Sequence, residues 1–332
     1  RLGDRENKID IRHLENRDLT WEKMYEWNLG LELGLWNNRV SATVDLYRRN
    51  SYDLIDRILT SGVGGQYYKY ANFGDLRTVG AEIGVSTLNI KTERFSWSTT
   101  LTLSAMDQKV TRLLNTPTAL DMVAGRGRGN VVGFPRGSLF SYNFDGLDVN
   151  GLPTFDFGRY PLGAGDYAHI AGADFLDTQY AKTYLIYHGP VEPRYTGGLS
   201  NVFTLGPWEF SFFVTMQAGN KLRLNPTFDP AFADLNVFSK RYVDRWLNPG
   251  DELRTDVPTL PSQALIDKVG RENIERAYNT YNYSQKMVAD GSFVRMKNIS
   301  LAYHVPNDFL KKMRLQTMDL RLNVTNPFLL YS

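Results

Sequence analysis

A chain of 332 residues with a formal net charge of +2, 42% hydrophobic and 22% charged residues has the balance of a folded protein, long enough for one large or two ordinary domains. It has no basic blocks, which removes the electrostatic case for nucleic-acid binding, and no cysteine, which decides little about its compartment. Aromatic residues stand out, with 19 Tyr, 18 Phe and 6 Trp, many of them in polar segments.

No run approaches the roughly 18 apolar residues that a membrane helix needs, but a spanning β-strand needs only about 9 to 11 alternating residues. The opening RLGDRENKID is charged and lacks the apolar stretch of a signal peptide. Either the protein is not exported or its N-terminus lies upstream.

The first clear element is WNLGLELGLWNNRVSATVDLY, residues 27 to 47. Trp27, Leu29, Leu31, Leu33 and Leu35, then Val40, Ala42, Val44 and Leu46, alternate with small or polar residues, the period of two that marks a strand pair. The polar face is glycine-rich rather than densely charged, and the apolar face is almost unbroken. The same alternation recurs in residues 79 to 90, 95 to 105, 195 to 205, 208 to 219, 293 to 305 and 318 to 324, giving about eight strands. Links within pairs are short, at Trp36 to Arg39, Lys91 to Arg94, Gly206 to Pro207 and Pro306 to Thr317. Links between pairs are long, at 53 to 78, 106 to 194 and 220 to 292. Compact soluble domains rarely carry such loops, whereas outer-membrane barrels join short periplasmic turns to long extracellular loops. With short turns in the periplasm both ends of the chain fall outside the cell, so at least one strand is expected before residue 1 and one after residue 332.

The long loops hold structure of their own. Asn150-Gly151, between short apolar runs in FDGLDVNGLPTFDFG, signals a hairpin. Residues 259 to 282 read as helix, with Ser262 as N-cap. AGRGRGN, residues 124 to 130, lacks the strand and helix that a phosphate loop requires and reads as an exposed loop. Asp145, Asp148 and Asn150 could offer hard oxygen ligands, but calcium-loop spacing fails at Gly146 and Phe157, so a hairpin turn is favoured over a metal site. His13, His169, His188 and His304 are scattered singly, and no GxSxG elbow occurs. Asp251-Glu252 is the kind of acid pair that Asp-rich loops make by chance; no enzyme activity, metal or cofactor is expected. Trp27, Trp36, Tyr47, Trp97, Trp208 and Tyr303 lie near strand ends, as membrane-interface girdles do. Loop aromatics such as Tyr67, Tyr68, Tyr70, Tyr142, Phe155, Phe157, Tyr160, Tyr242 and Trp246 suit stacking on a sugar or a partner protein, or packing of the loops on themselves.

The blocks WEKMYEWNLGLELGLWNNRVSATVDLYRRNSYDLI, NFGDLRTVGAEIGV, GSLFSYNFDGLDVNGLPTF, PRYTGGLSNVFTLGPWEFSFFV, RWLNPGDE, YNYSQKMVADGSFVRMKNISLAYHVP and LRLNVTNPF, in this order over residues 15 to 332, resemble SusC/RagA-type TonB-dependent transporters of Bacteroidetes outer membranes. The resemblance implies a large antiparallel transmembrane β-barrel, of which this chain is the C-terminal part without N-terminal domain, plug or final strands. It implies TonB-dependent import of glycans or oligopeptides together with a SusD-like surface lipoprotein, with TonB engaged through the missing N-terminal regions. Expected contacts with substrate or partner are Tyr142, Asp145, Asp148, Phe155, Phe157, Tyr242 and Trp246, within loops 142 to 157 and 242 to 252. Two other readings share parts of the pattern: a siderophore or cobalamin TonB-dependent receptor, and a secreted β-sandwich carbohydrate-binding or adhesin module.

Overall fold

Alternating apolar and small polar residues dictate extended chain, and the computed structural model pairs those stretches into one antiparallel sheet. It describes residues 17–59, 68–124, 129–159, 174–228, 239–306 and 315–332, with His169 and Leu310 placed singly between them. Eight strands, β1 (Lys23–Leu35), β2 (Val40–Leu59), β3 (Tyr68–Lys91), β4 (Phe95–Leu113), β9 (Tyr195–Leu205), β10 (Trp208–Ala218), β13 (Phe293–His304) and β14 (Asp319–Tyr331), lie side by side in chain order. The sheet is open, with β1 and β14 as its edges. Six shorter strands belong to the connections: β5 (Ser138–Ser141), β6 (Asn143–Leu147), β7 (Pro153–Asp156), β8 (Ile186–Pro190), β11 (Lys221–Arg223) and β12 (Val288–Asp290). No helix among the described residues is long and apolar enough to cross a membrane, which does not bear on strands.

Register carries the two faces across all eight strands. Leu31, Val44, Ile83, Leu103, Gly197, Met216, Val294 and Tyr331 oppose one another in a continuous row. The adjacent row on the other face runs Gly30, Asp45, Glu82, Ser104, Thr196, Gln217 and Phe293. One face is thus apolar and the other, Phe293 apart, small or polar, the alternation of a barrel wall between lipid and aqueous lumen. A bulge opposite Phe213 and Val214 skips Lys297; the extra residue keeps Met296 and Ile299 on the apolar face, where a simple one-residue slip would reverse every later side chain.

Turns and girdles fix orientation. The β1–β2 turn places Trp36, Asn37 and Asn38 at positive φ of 51°, 56° and 62°, a left-handed run that asparagine tolerates better than most residues. At this short-turn end Trp208 packs on Tyr303 with ring centroids 4.7 Å apart, and Trp97 stacks on Phe203 at 5.5 Å. At the opposite end the outward phase carries Trp27, Tyr195 and Tyr331. From Tyr195 to Leu205 a strand tilted by about 40° rises about 25 Å, the height of the apolar band of an outer-membrane barrel.

Three expectations need correction. Residues 53 to 78 are not a long loop: β2 and β3 continue through most of that span, including Tyr70, and the connection shrinks to 60–67, outside the described residues along with Tyr67. Likewise β4 runs to Leu113, so the second long connection begins at 114 rather than 106. An ionic network explains why the strands persist beyond the apolar band. Arg112 binds Asp75 at 2.7 Å and Asp53 at 2.9 Å, and Lys23 binds Asp53 at 3.0 Å, tying together polar sequence that apolar alternation does not reveal. Tyr47 is not a girdle residue. It opposes Asn28 and Gly80 on the polar face, and its ring lies over Gly80, where an added Cβ would stand 2.3 Å from a ring carbon. The ring fills space that the glycine leaves.

Candidate functional site

The connections leaving the long-loop end of β4 and β10 pack on one another to form a module with its own core. Its elements include α1 (Ala119–Ala124), α2 (Ala181–Tyr184), α3 (Gln263–Val269) and α4 (Arg271–Asn282). Ser262 caps α3, its hydroxyl accepting from the Leu265 amide at 3.2 Å, and Gly270 at φ 92° separates α3 from α4 where sequence reading expected one helix. Burial of Ile274, Ala277, Tyr278 and Tyr281 fastens α4 to the module's interior.

The expected contact loops are brought together, but largely through their interior. Tyr142, Phe155, Phe157 and Tyr242 are 1, 5, 3 and 8% exposed and belong to one apolar cluster. Tyr142 lies against Tyr184 and Phe157, and Tyr242 against Phe228 at 5.3 Å. For these rings, packing of the loops on themselves is the arrangement observed. Burial pushes the Tyr242 phenol up to about 12.

Asp148 organises the hairpin between β6 and β7. One carboxylate oxygen accepts from the amides of Asn150 at 2.9 Å and Leu152 at 2.8 Å, which uses as turn acceptors the atoms that a cation would need. Asp145 is exposed on the same hairpin. Gly151, at φ 74°, allows the Trp246 indole to lie against the backbone, since a Cβ there would meet ring atoms at 2.5 Å. The Thr259 amide donates to Gly151 O at 3.0 Å, locking the same junction. The Trp246 indole N–H in turn donates to Glu252 Oε2 at 2.9 Å.

That hydrogen bond, with the Gly250 amide donating to the same oxygen at 2.8 Å, holds the Glu252 carboxyl below its ordinary range. Asp251 is lowered by the amides of Asn248 at 2.8 Å and Leu247 at 3.1 Å. The acid pair in RWLNPGDE thus shapes its loop through these hydrogen bonds. Around this junction Val149, Leu247 and Leu253 project outward, Leu253 at 87% exposure.

Sequence reasoning missed Arg223. It is largely buried on β11 and donates to Phe140 O at 2.5 Å, Ser141 Oγ at 3.2 Å and Ser284 O at 3.4 Å, with its guanidinium over the Tyr283 ring. All three acceptors are uncharged, and burial pulls its guanidinium down to about 10. A lone arginine in KLR carries no motif that would announce this role. Burial likewise lowers His188 on β8. Among the described residues no cluster of three or more His, Cys, Asp or Glu could hold a metal ion. Residues 125–128 of AGRGRGN and Tyr160 lie outside the described residues.

No family profile matches the chain. Among curated proteins it is similar to two TonB-dependent receptors of Formosa agariphila. P39 is 26% identical over 95% of this chain and 32% of the receptor, and P3 is 26% identical over 98% and 31%. The TonB-dependent receptor SusC of Bacteroides thetaiotaomicron is 29% identical over 30% of this chain and 10% of its own length. Among solved structures, the RagAB peptide transporter superposes with a TM-score of 0.70 at 21% identity, covering 100% of this chain and 34% of that one. The chain thus spans about a third of the length of the Formosa receptors and of the RagAB chain. Along nearly its whole length the chain is thus similar to TonB-dependent receptors, SusC-type β-barrel proteins of the outer membrane among them, and its sheet has the fold of the RagAB chain.

Proposed function

We propose that these eight strands are a consecutive run in the C-terminal part of a larger closed barrel that imports an oligomeric nutrient, glycan or oligopeptide, across the outer membrane. Energy comes from TonB acting on parts of the receptor outside this chain, and no covalent step occurs on these residues. The loop module is the surface that meets substrate together with a SusD-like lipoprotein. The observation that carries this reading is the placement of both long connections at one end of the sheet, packed into a single body with an apolar outer fringe.

Within that surface, Asp145 and the Trp246 junction supply contact atoms. Tyr142, Asp148, Phe155, Phe157 and Tyr242 hold its shape from within. An exposed fringe of Val149, Leu247 and Leu253 fits an apolar partner surface better than a sugar, because it offers no hydrogen bonds to hydroxyls.

The test uses the full-length receptor in its native outer membrane. Paired Val149→Asp and Leu253→Asp changes should abolish co-purification of a surface lipoprotein while leaving the barrel folded. Uptake of labelled oligosaccharide or oligopeptide pools should require TonB. Uptake that persists without TonB, or partition of the full-length protein into the aqueous phase of a detergent separation, would overturn the proposal.

A further inference from the structure

We infer that the outward face of the sheet carries a groove for one phospholipid of net negative headgroup in the outer leaflet, with Arg48 holding the phosphate. The inference rests on the membrane-spanning reading of the sheet. A concavity of about 1110 Å³ is bounded by Trp27, Leu29, Leu46, Val79 and Tyr195, all in the outward phase by register. Its floor is low because the outward positions on β3 and β4 are Ala81 and Ala105, where the next row carries Ile83 and Leu103. A second, almost wholly apolar concavity of about 360 Å³ shares Ala81, Ala105 and Tyr195 and continues to Met216 and Val294. Together they form an oblique channel down the apolar face, larger than a site for a small ligand and long enough for acyl chains.

Charge at its upper end selects the occupant. Arg48 opposes Trp27 and Val79, so it stands at the height of the outer aromatic girdle, where lipid phosphates lie. Among the described residues it has no ion-pair or hydrogen-bond partner. Nearby, Arg194 reaches Asp107 only at 3.7 Å, and its Nε is buried without a partner. With Arg48, Arg194 and Asp107 all bounding the concavity, an excess positive charge lies beside an apolar channel, complementary to an anionic headgroup with acyl chains below it. Free phosphate would leave the channel unfilled. A second barrel would have to bring a matching acid to the edge of the hydrocarbon.

The experiment is native mass spectrometry of the full-length receptor released from micelles, with phosphatidylglycerol, phosphatidylcholine and inorganic phosphate as separate probes. Expected is one phosphatidylglycerol per barrel, retained under activation that strips phosphatidylcholine. Arg48→Ala should lower retention by about tenfold and Arg48→Lys should restore most of it. Ala105→Leu, which fills the floor with Arg48 intact, should lower it similarly. Equal retention of both lipids, indifference to Arg48→Ala, or displacement by millimolar inorganic phosphate would overturn the inference. So would a barrel dimer that Ala105→Leu dissociates, which would assign the groove to a second copy. Each variant is checked for heat-modifiable migration on unboiled gels, so loss of the lipid site is distinguished from loss of the barrel.

Discussion

Ile83 and Glu82 are neighbours in sequence and point to opposite sides of the sheet. Ile83 lies between Val44 and Leu103, while Glu82 lies between Asp45 and Ser104. Ile83 is four residues below the Trp27–Arg48–Val79 girdle row, about 13 Å along the strand and about 10 Å in depth at a tilt of about 40°, close to the midplane of a band about 25 Å tall. An arginine facing lipid at that depth costs about 2 to 4 kcal/mol. Ile83→Arg should therefore shift the folding equilibrium by roughly 30- to 700-fold, at about 1.4 kcal/mol per tenfold. Glu82→Gln should do the reverse. Glu82 and Asp45 are like charges directly across β2 and β3, and removing one relieves a repulsion of about 0.2 to 1 kcal/mol. The assay is reversible urea unfolding of the full-length barrel in phospholipid vesicles, followed by tryptophan fluorescence, with heat-modifiable gel migration as the folding check. A stabilised or indifferent Ile83→Arg, or a Glu82→Gln that destabilises more than it does, would show that the two faces are assigned the wrong way round.

Three further outcomes follow from the loop module. Arg223→Met removes the donor from Phe140 O and Ser141 Oγ and should destabilise the module by about 1 to 3 kcal/mol, seen as faster amide exchange in residues 138–141 and 284–288 with the barrel strands unchanged. Gly151→Ala forces a Cβ against the Trp246 ring at a φ that alanine resists; it should cost about 1 to 3 kcal/mol and red-shift Trp246 emission, whereas Gly158→Ala, also at positive φ but with open space around it, should leave the emission unchanged. The carboxyls of Asp251 and Glu252 are both lowered in the folded loop, so their stabilising contribution is complete above the ordinary values of 3.8 and 4.5 and is lost as pH falls through the lower folded values. Fluorescence of Trp246 should therefore change at acid pH below that range, and Glu252→Gln should reduce the change; a transition near neutrality would contradict the assignment.

The barrel wall was legible in sequence because its physics is local. Each of the eight strands satisfies period two over seven or more residues, and parity of short and long links then orders them without any knowledge of distant contacts. Where the strands rise above the apolar band the signal disappears, since Arg112, Asp75 and Asp53 stabilise β2 to β4 through ion pairs between residues 37 and 59 positions apart. Tyr47 was misplaced for a related reason. Strand-end aromatics suggest a girdle, but phase decides the face, and its phase is that of Asn28 and Asp45.

The loop module shows where residue type alone stops being informative. Tyrosine and phenylalanine in a polar segment are equally suited to stacking on a sugar and to forming a small core, and the choice depends on how many such rings converge. Here the 142–157 and 242–252 segments converge with α4, which supplies Tyr278 and Tyr281, so the rings are consumed by one another. What remains for recognition is set by residues that read as turns: Asp148 and Gly151 shape the hairpin, Trp246 and Glu252 fasten it to RWLNPGDE, and Val149, Leu247 and Leu253 are turned outward as a result. On the proposed function, specificity for a partner at this surface would depend on a rigid junction rather than on a single aromatic platform. On that reading, disturbing Gly151 or Arg223 should weaken lipoprotein capture even though neither residue belongs to the exposed fringe of Val149, Leu247 and Leu253.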